Sequence, residues 1–197
     1  NVIMEFKNKY FLLRHGQTIY QKNNVRINYP ADADYTLSIT EEGKKMIKNA
    51  AESLEREEIN IIFVSPTLRT KQSAEIAAKI LGIKKINYDE QLLDIRMGEF
   101  AGKNYEEYEN FFSQKMERFE KRPEGGENWN DVVARLKSFL NDIEKEYAGK
   151  NILIISHADP LWLLAGLLRG FDRNEQFLVT RKSGFNLYPN VGELIKI

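Results

Sequence analysis

The chain has two histidines, His15 and His157, and each directly follows a short apolar run, Tyr10–Leu13 in one case and Ile152–Ile155 in the other. Arg14 adjoins the first histidine. Arg69 follows a third apolar run within Ser65-Pro66-Thr67-Leu68-Arg69-Thr70, and Asp94 lies in Leu92-Leu93-Asp94-Ile95-Arg96-Met97-Gly98. Two imidazoles with two guanidiniums suit an electrophile rich in anionic oxygens, such as a phosphoryl group, because a guanidinium is a fixed fork of donors. A carboxyl group beside them can protonate a leaving alkoxide. Each residue also has a plainer reading. A histidine at a strand end is more often structural, Arg14 suits an ion pair, Arg69 a helix surface, and Asp94 a turn. His15, His157 and Asp94 would also make a two-histidine, one-carboxylate metal set. The arginines disfavour a bound dication, so neither metal nor cofactor is expected.

These side chains meet only if the apolar runs are strands of one sheet. Tyr10–Leu13, Asn60–Val64, Lys85–Asp89 and Ile152–Ile155 read as strands. Ser38 with Glu41 reads as a capping box opening a helix through Leu54. Thr67–Leu81 reads as a helix ended by Gly82, Trp129–Tyr147 recurs at helical spacing, and Pro160 starts a helix through Leu168. Alternating strands and helices imply an α/β fold, a three-layer α/β/α sandwich with a mostly parallel sheet. Gly184–Tyr188 and Glu193–Ile197 flank Pro189-Asn190-Val191-Gly192 as a terminal hairpin. Ligands of such sheets bind at the carboxyl ends of the strands, so Arg14, His15, Arg69, Asp94 and His157 should share one rim. Asn104–Arg122 reads as a charged, aromatic helical stretch, making a small cap insertion over about 104–126 in a single domain spanning 1–197.

Composition narrows the partners. Lys+Arg and Asp+Glu each number 29 among 197 residues, so the formal net charge is zero and the basic excess of a general nucleic-acid binder is missing. There is no cysteine, which excludes disulfides, thiol catalysis, iron–sulfur ligation and cysteine-containing zinc sites. No apolar run approaches the roughly 20 residues of a membrane span. Asn1 to Phe6 carries no signal-peptide pattern, which makes the cytoplasm the default location. A small phosphorylated molecule is the expected partner, without nucleic acid or membrane; a homodimer is compatible with the sequence.

Leu13-Arg14-His15-Gly16-Gln17-Thr18 resembles the Arg-His-Gly signature of the histidine phosphatase superfamily, in its phosphoglycerate mutase-like branch. The resemblance continues in order along the chain. Thr40-Glu41-Glu42-Gly43 is similar to a Leu-Thr-x-x-Gly helix start, and Ser65-Pro66-Thr67-Leu68-Arg69 to Ser-Pro-x-x-Arg. Leu92 to Gly102 is similar to Leu-x-Glu-x-x-x-Gly-x-Trp-x-Gly, Gly125-Gly126-Glu127-Asn128 to Gly-Gly-Glu-Ser, and Ile155-Ser156-His157-Ala158 to Val-Ser-His-Gly. The resemblance implies a metal-independent phosphomonoesterase. His15 would attack phosphorus and carry a phosphohistidine. Arg14, Arg69 and His157 would bind the non-bridging oxygens, with Gln21 standing where the family has a phosphate-touching asparagine. Asp94 would protonate the leaving oxygen and then deprotonate water.

Asp94 departs from the family's glutamate and sets the carboxyl group roughly 1.5 Å further back. Displacements of about 1 Å can cost on the order of a hundredfold in rate. Asp159, two residues past His157, is the alternative acid, as in a distant branch of the superfamily. Mutases of this type resemble longer chains with a tail and a larger cap, so a phosphatase is expected over a phosphoglycerate mutase. A phosphoryl-binding protein with weak turnover is the third reading. Phe111, Phe112 and Phe119 are expected to pack the cap, and Lys103, Lys115, Arg118, Lys121 and Arg122 to be solvated. The competing reading has these residues lining the pocket and meeting a second anionic group.

Overall fold

The computed structural model describes residues 5–179 and 187–197. Five strands, β1 (Lys9–Arg14), β2 (Ile61–Val64), β3 (Ile86–Tyr88), β4 (Asn151–Ser156) and β5 (Leu194–Lys196), form one sheet in the order β3-β2-β4-β1-β5. The β1–β4, β2–β4 and β2–β3 pairs are parallel, while β5 runs antiparallel to β1. Parallel strands need crossovers, and helices supply them. The helices are α1 (Ile19–Lys22), α2 (Ala33–Thr36), α3 (Glu41–Glu52), α4 (Leu68–Leu81), α5 (Tyr105–Asn110), α6 (Trp129–Glu146), α7 (Ala158–Leu168) and α8 (Arg173–Val179).

Successive residues of a strand point to opposite faces of the sheet, and the core divides accordingly. Phe11, Leu13, Ile62, Val64, Leu153 and Ile155 face α3 and α4. Tyr10, Leu12, Phe63, Ile152 and Ile154 face α6 and α7. Ile152–Ile155 is fully buried on both faces, which makes β4 the spine of a three-layer α/β/α sandwich. Each such side chain taken from water contributes about 1.5–3 kcal/mol. Among the described residues, no helix is long and apolar enough to cross a membrane.

Three expected details differ. The cap of α3 is Thr40, whose hydroxyl accepts from the Gly43 N–H at 3.0 Å, and not Ser38. Ile39 is held extended in a bridge to Thr18, and its N–H donates to Gln72, so the chain cannot turn helical until it has passed Ile39. The cap is two short pieces and not one helical stretch: α5 ends at Asn110, and a 3-10 turn covers Lys115–Phe119. Gln114 between them is extended, and the Ser113 N–H donates to the Glu117 carboxylate. The first arm of the expected hairpin falls largely outside the described residues at 184–186; Leu187 and Tyr188 are not in a strand.

The loop after β1 packs unusually tightly on the start of α3. A Cβ on Gly43 would lie 2.4 Å from the Gln17 carbonyl oxygen, and one on Gly16 would lie 2.6 Å from that of Gly43. The Thr40 N–H donates to the same Gln17 oxygen at 2.7 Å. Gly43→Ala must therefore move backbone, and is expected to cost about 1–3 kcal/mol in urea unfolding. Glu42→Ala next to it, on the exposed side, should stay within about 0.5 kcal/mol of the parent. Equal unfolding midpoints for the two variants would refute this account of the packing.

Candidate active site

The carboxyl ends of β1, β2 and β4 deliver the polar residues to one rim. His15 is the first residue past β1, fixed by its N–H to the Ser156 oxygen (3.1 Å) and by its carbonyl to the Gly192 N–H (2.9 Å). His157 caps α7 through its backbone, which leaves the imidazole free to turn toward β2. Arg69 stands in the first turn of α4, just past β2. Asp94 follows a 3-10 turn at Glu90–Leu92 and is oriented by the Ile95 N–H, which donates to Oδ1 at 2.9 Å. All five residues expected at the rim are there.

The two imidazole rings lie 5.4 Å apart, inclined at 62°. The Nδ1–H of His15 donates to the Gly16 carbonyl at 2.8 Å, and this leaves the lone pair on Nε2. His157 is turned the other way. Its Nδ1 accepts from Arg69 at 3.3 Å, so Nε2–H donates to Ser65 Oγ at 2.8 Å. Arg69 is 1% exposed and makes further contacts to Asp34 Oδ1 (3.1 Å), the Ala33 carbonyl (3.3 Å) and the face of Tyr29. Arg14 donates to the Pro189 carbonyl at 3.0 Å. The Nε atoms of both arginines are buried and have no hydrogen-bond partner among the described residues.

Burial lowers the pKa of His15, and the charges of Arg14 and Arg69 lower it further. His157 is lowered by burial, then by Arg69, His15 and Arg14. Asp94 is pushed up to about 6, chiefly by burial, with the Asp159 charge adding to the effect and Arg69 opposing it. The rim thus holds two neutral imidazoles and a carboxyl group that titrates near neutrality. Asp94 Oδ2 lies 3.8 Å from His157 Nδ1 and 4.0 Å from Arg69. Asp159 is differently occupied: its carboxylate accepts from Trp129 Nε1 at 3.0 Å and from the Tyr188 hydroxyl at 2.7 Å.

A cleft of about 280 Å³ opens above the rim. Arg14, Asp94 and Asp159 line it together with Tyr20, Tyr29, Tyr105, Tyr108 and Tyr188. Gln21 also lines it, but its amide is committed to Thr18 (2.9 and 2.8 Å) and to the Tyr29 hydroxyl (2.7 Å). Phe112 and Phe119 are buried in the cap packing, as expected, and Phe111 packs on Phe100. Of the cap cations expected to be solvated, Lys103, Lys115, Lys121 and Arg122 are exposed, but Arg118 is 7% exposed and lines the cleft. The tyrosines went unnoticed in the sequence because they come from four separate segments with no common spacing. Ser65 was visible only as part of Ser-Pro-x-x-Arg.

The sequence pattern of the histidine phosphatase superfamily (branch 1) matches residues 10–180. Phosphoserine phosphatase 1 of Hydrogenobacter thermophilus is 29% identical over 169 residues, covering 83% of this chain and 77% of that protein. A probable phosphoglycerate mutase of Photorhabdus laumondii is 26% identical over 169 residues, covering 81% and 74%. Among solved structures, Bacillus stearothermophilus YhfR superposes with a TM-score of 0.71 at 23% identity, over 91% of this chain and 88% of that one. The structural likeness is one of fold.

The two histidines make the electrostatics directly observable. Neither imidazole should titrate in the ordinary range near 6.5, and the proton NMR signals of both rings should stay at neutral positions from pH 8 down to about 5.5. Because their folded pKa values lie below the unfolded ones, the unfolded chain takes up protons first as pH drops. The histidines' contribution to stability is intact above about pH 6.5 and is lost progressively below it. A ring titrating at its ordinary pKa in the folded protein would contradict this.

Proposed function

The chain belongs to the histidine phosphatase superfamily (branch 1), and on that premise we propose that it is a metal-independent phosphomonoesterase working through a phosphohistidine on His15. The observation that carries this reading is the state of His15: a buried neutral imidazole with its lone pair on Nε2, flanked by two guanidiniums. Nε2 attacks phosphorus in line as the bond to the leaving oxygen breaks. Arg14 and Arg69 bind the non-bridging oxygens and stabilise their charge in the transition state. Burial chiefly keeps His157 neutral and the arginine charges add to it; a bound phosphoryl group opposes the second effect and favours a proton on Nδ1 for an oxygen to accept.

Asp94 gives its proton to the leaving alkoxide. It then takes one from water as water attacks phosphorus, the P–N bond breaks and phosphate departs. Two observations favour Asp94 over Asp159. Asp94 faces Arg69 and His157 with a pKa of about 6, so it holds a proton over part of the neutral range. Asp159 already accepts hydrogen bonds from Trp129 and Tyr188, which commit both of its oxygens. The side chain of Asp94 is still 27% exposed, so water can reach it, as hydrolysis requires and mutase chemistry disfavours. The similarity to a phosphoserine phosphatase supports hydrolysis as well.

His15→Ala is expected to abolish hydrolysis of p-nitrophenyl phosphate, which EDTA should leave unaffected in the parent. Asp94→Asn should slow an alkyl phosphate by about 10²–10⁴-fold, and an aryl phosphate much less, because only the alkoxide needs the proton. Asp159→Asn should affect the two esters equally. Since the acid must be protonated, alkyl ester turnover should fall as pH rises above about 6. Substantial turnover by His15→Ala would sink the nucleophile assignment. Interconversion of phosphoglycerate isomers faster than phosphate release would replace hydrolase by mutase.

A further inference from the structure

The two arginines of the rim are held by different means. Arg69 is fixed by Asp34, the Ala33 carbonyl, His157 and the face of Tyr29. The Arg14 side chain makes one hydrogen bond among the described residues, to the Pro189 carbonyl at 3.0 Å. A long side chain with a single tether goes where its acceptor is, so whatever fixes the Pro189 carbonyl also sets the Arg14 guanidinium.

Pro189 lies in a strap, residues 187–193, that leads into β5. The far end of the strap is tied through the backbone. The Gly192 N–H donates to the His15 carbonyl at 2.9 Å, and the Arg14 N–H donates to the Glu193 carbonyl at 3.1 Å. The near end depends on side chains. Leu187 is buried in the core beside α6 and α7, and the Tyr188 hydroxyl donates to Asp159 Oδ1 at 2.7 Å. Asp159 is itself buried in the first turn of α7, and its Oδ2 accepts from Trp129 Nε1 at the start of α6, at 3.0 Å. Proline fixes its own φ, so one torsion fewer separates the Tyr188 anchor from the Pro189 carbonyl. Asp159 thus joins three elements, and the chain of contacts runs from Trp129 through Asp159, Tyr188 and Pro189 to Arg14.

We propose that Asp159 and Tyr188 are positioning residues: their hydrogen bond clasps the strap to the starts of α6 and α7, and so sets the Pro189 carbonyl that holds Arg14 for the phosphoryl group. The inference rests on the reading of Arg14 as a phosphoryl ligand, and it gives Asp159 a role that needs no proton transfer.

Tyr188→Phe keeps the ring and removes only the hydroxyl, while Asp159→Asn replaces one acceptor oxygen by a donor. Both are compared with the parent on p-nitrophenyl phosphate and glycerol 3-phosphate at about pH 5.5, where Asp94 holds most of its proton. Calorimetry gives the dissociation constant of inorganic phosphate, and thermal melts report folding. Each variant should lose about 10-fold in kcat/KM on both esters alike and bind phosphate about 10-fold more weakly, as for a displaced charge-assisted hydrogen bond. The double variant should lose no more than either single one, because both break the same contact. In an Arg14→Ala background, Tyr188→Phe should change phosphate binding by less than about twofold. A tyrosine that only supports the fold would weaken binding equally with or without Arg14.

Unchanged phosphate binding in Tyr188→Phe would overturn the proposal, and so would an undiminished effect in the Arg14→Ala background. A loss in Asp159→Asn confined to glycerol 3-phosphate would make Asp159 the acid and overturn it as well. If Asp159→Asn does not fold, Tyr188→Phe decides, alone and with Arg14→Ala. If the parent binds phosphate but hydrolyses neither ester, the hydrolase reading fails, and the phosphate dissociation constants still decide the role of the clasp.

Discussion

Arg69 is 1% exposed, and a guanidinium withdrawn that far from water must be compensated on every side. Asp34 and the Ala33 carbonyl come from α2, the Tyr29 ring from the segment before it, His157 from the end of β4, and Asp94 from the loop after β3. Four stretches of chain thus converge on one side chain in the first turn of α4. The sheet makes the convergence feasible, because β2, β3 and β4 are parallel neighbours that release the chain at the same edge. The compensation is incomplete, since Arg69 Nε has no partner among the described residues. A buried cation is therefore left with one donor uncommitted among the described residues.

The same cation sets the protonation of its neighbours, in different directions. Burial and the arginine charges act together on His15 and His157, since both disfavour an imidazolium. On Asp94 they oppose each other: burial raises the pKa while Arg69 lowers it, and burial prevails. Hydrogen-bond partners then choose the tautomers. The Gly16 carbonyl holds the proton on Nδ1 of His15, while Ser65 and Arg69 hold it on Nε2 of His157. The two histidines are alike in sequence setting, each following an apolar strand, yet one keeps an uncommitted lone pair on Nε2 and the other is committed to its neighbours.

The sheet and rim were legible in the sequence because they depend on local signals. Apolar runs of four or five residues mark β1, β2 and β4, Gly82 ends α4 with φ of 69°, and the histidines adjoin their strands. The cap was not legible for a physical reason. Tyr108, Phe112 and Phe119 have spacings that suit one helix, but the Glu117 carboxylate takes the Ser113 N–H and helps set a break between α5 and the following turn. That break carries Arg118 back over Tyr108 and Phe112, where a continuous helix would have pointed a cation toward solvent. Charge in a polar segment reads as solvated unless the ring faces that cover it are known, and one of those rings, Trp129, lies beyond the cap.

The exchange of the family's glutamate for Asp94 looks at first like a loss of reach. The distances suggest a different balance. At 4.0 Å from Arg69, the carboxyl group is beyond hydrogen-bond contact, and its pKa of about 6 depends on that separation. A carboxylate pressed against a guanidinium has its pKa lowered by 1–3 units, which would leave it ionised at neutral pH and unable to donate a proton. A glutamate on this backbone would reach roughly 1.5 Å further than Asp94 does. The shorter side chain keeps the acid poised at the cost of distance. The gap left between Asp94 and the Arg69–His157 pair is one that the oxygens of a bound phosphoryl group can fill.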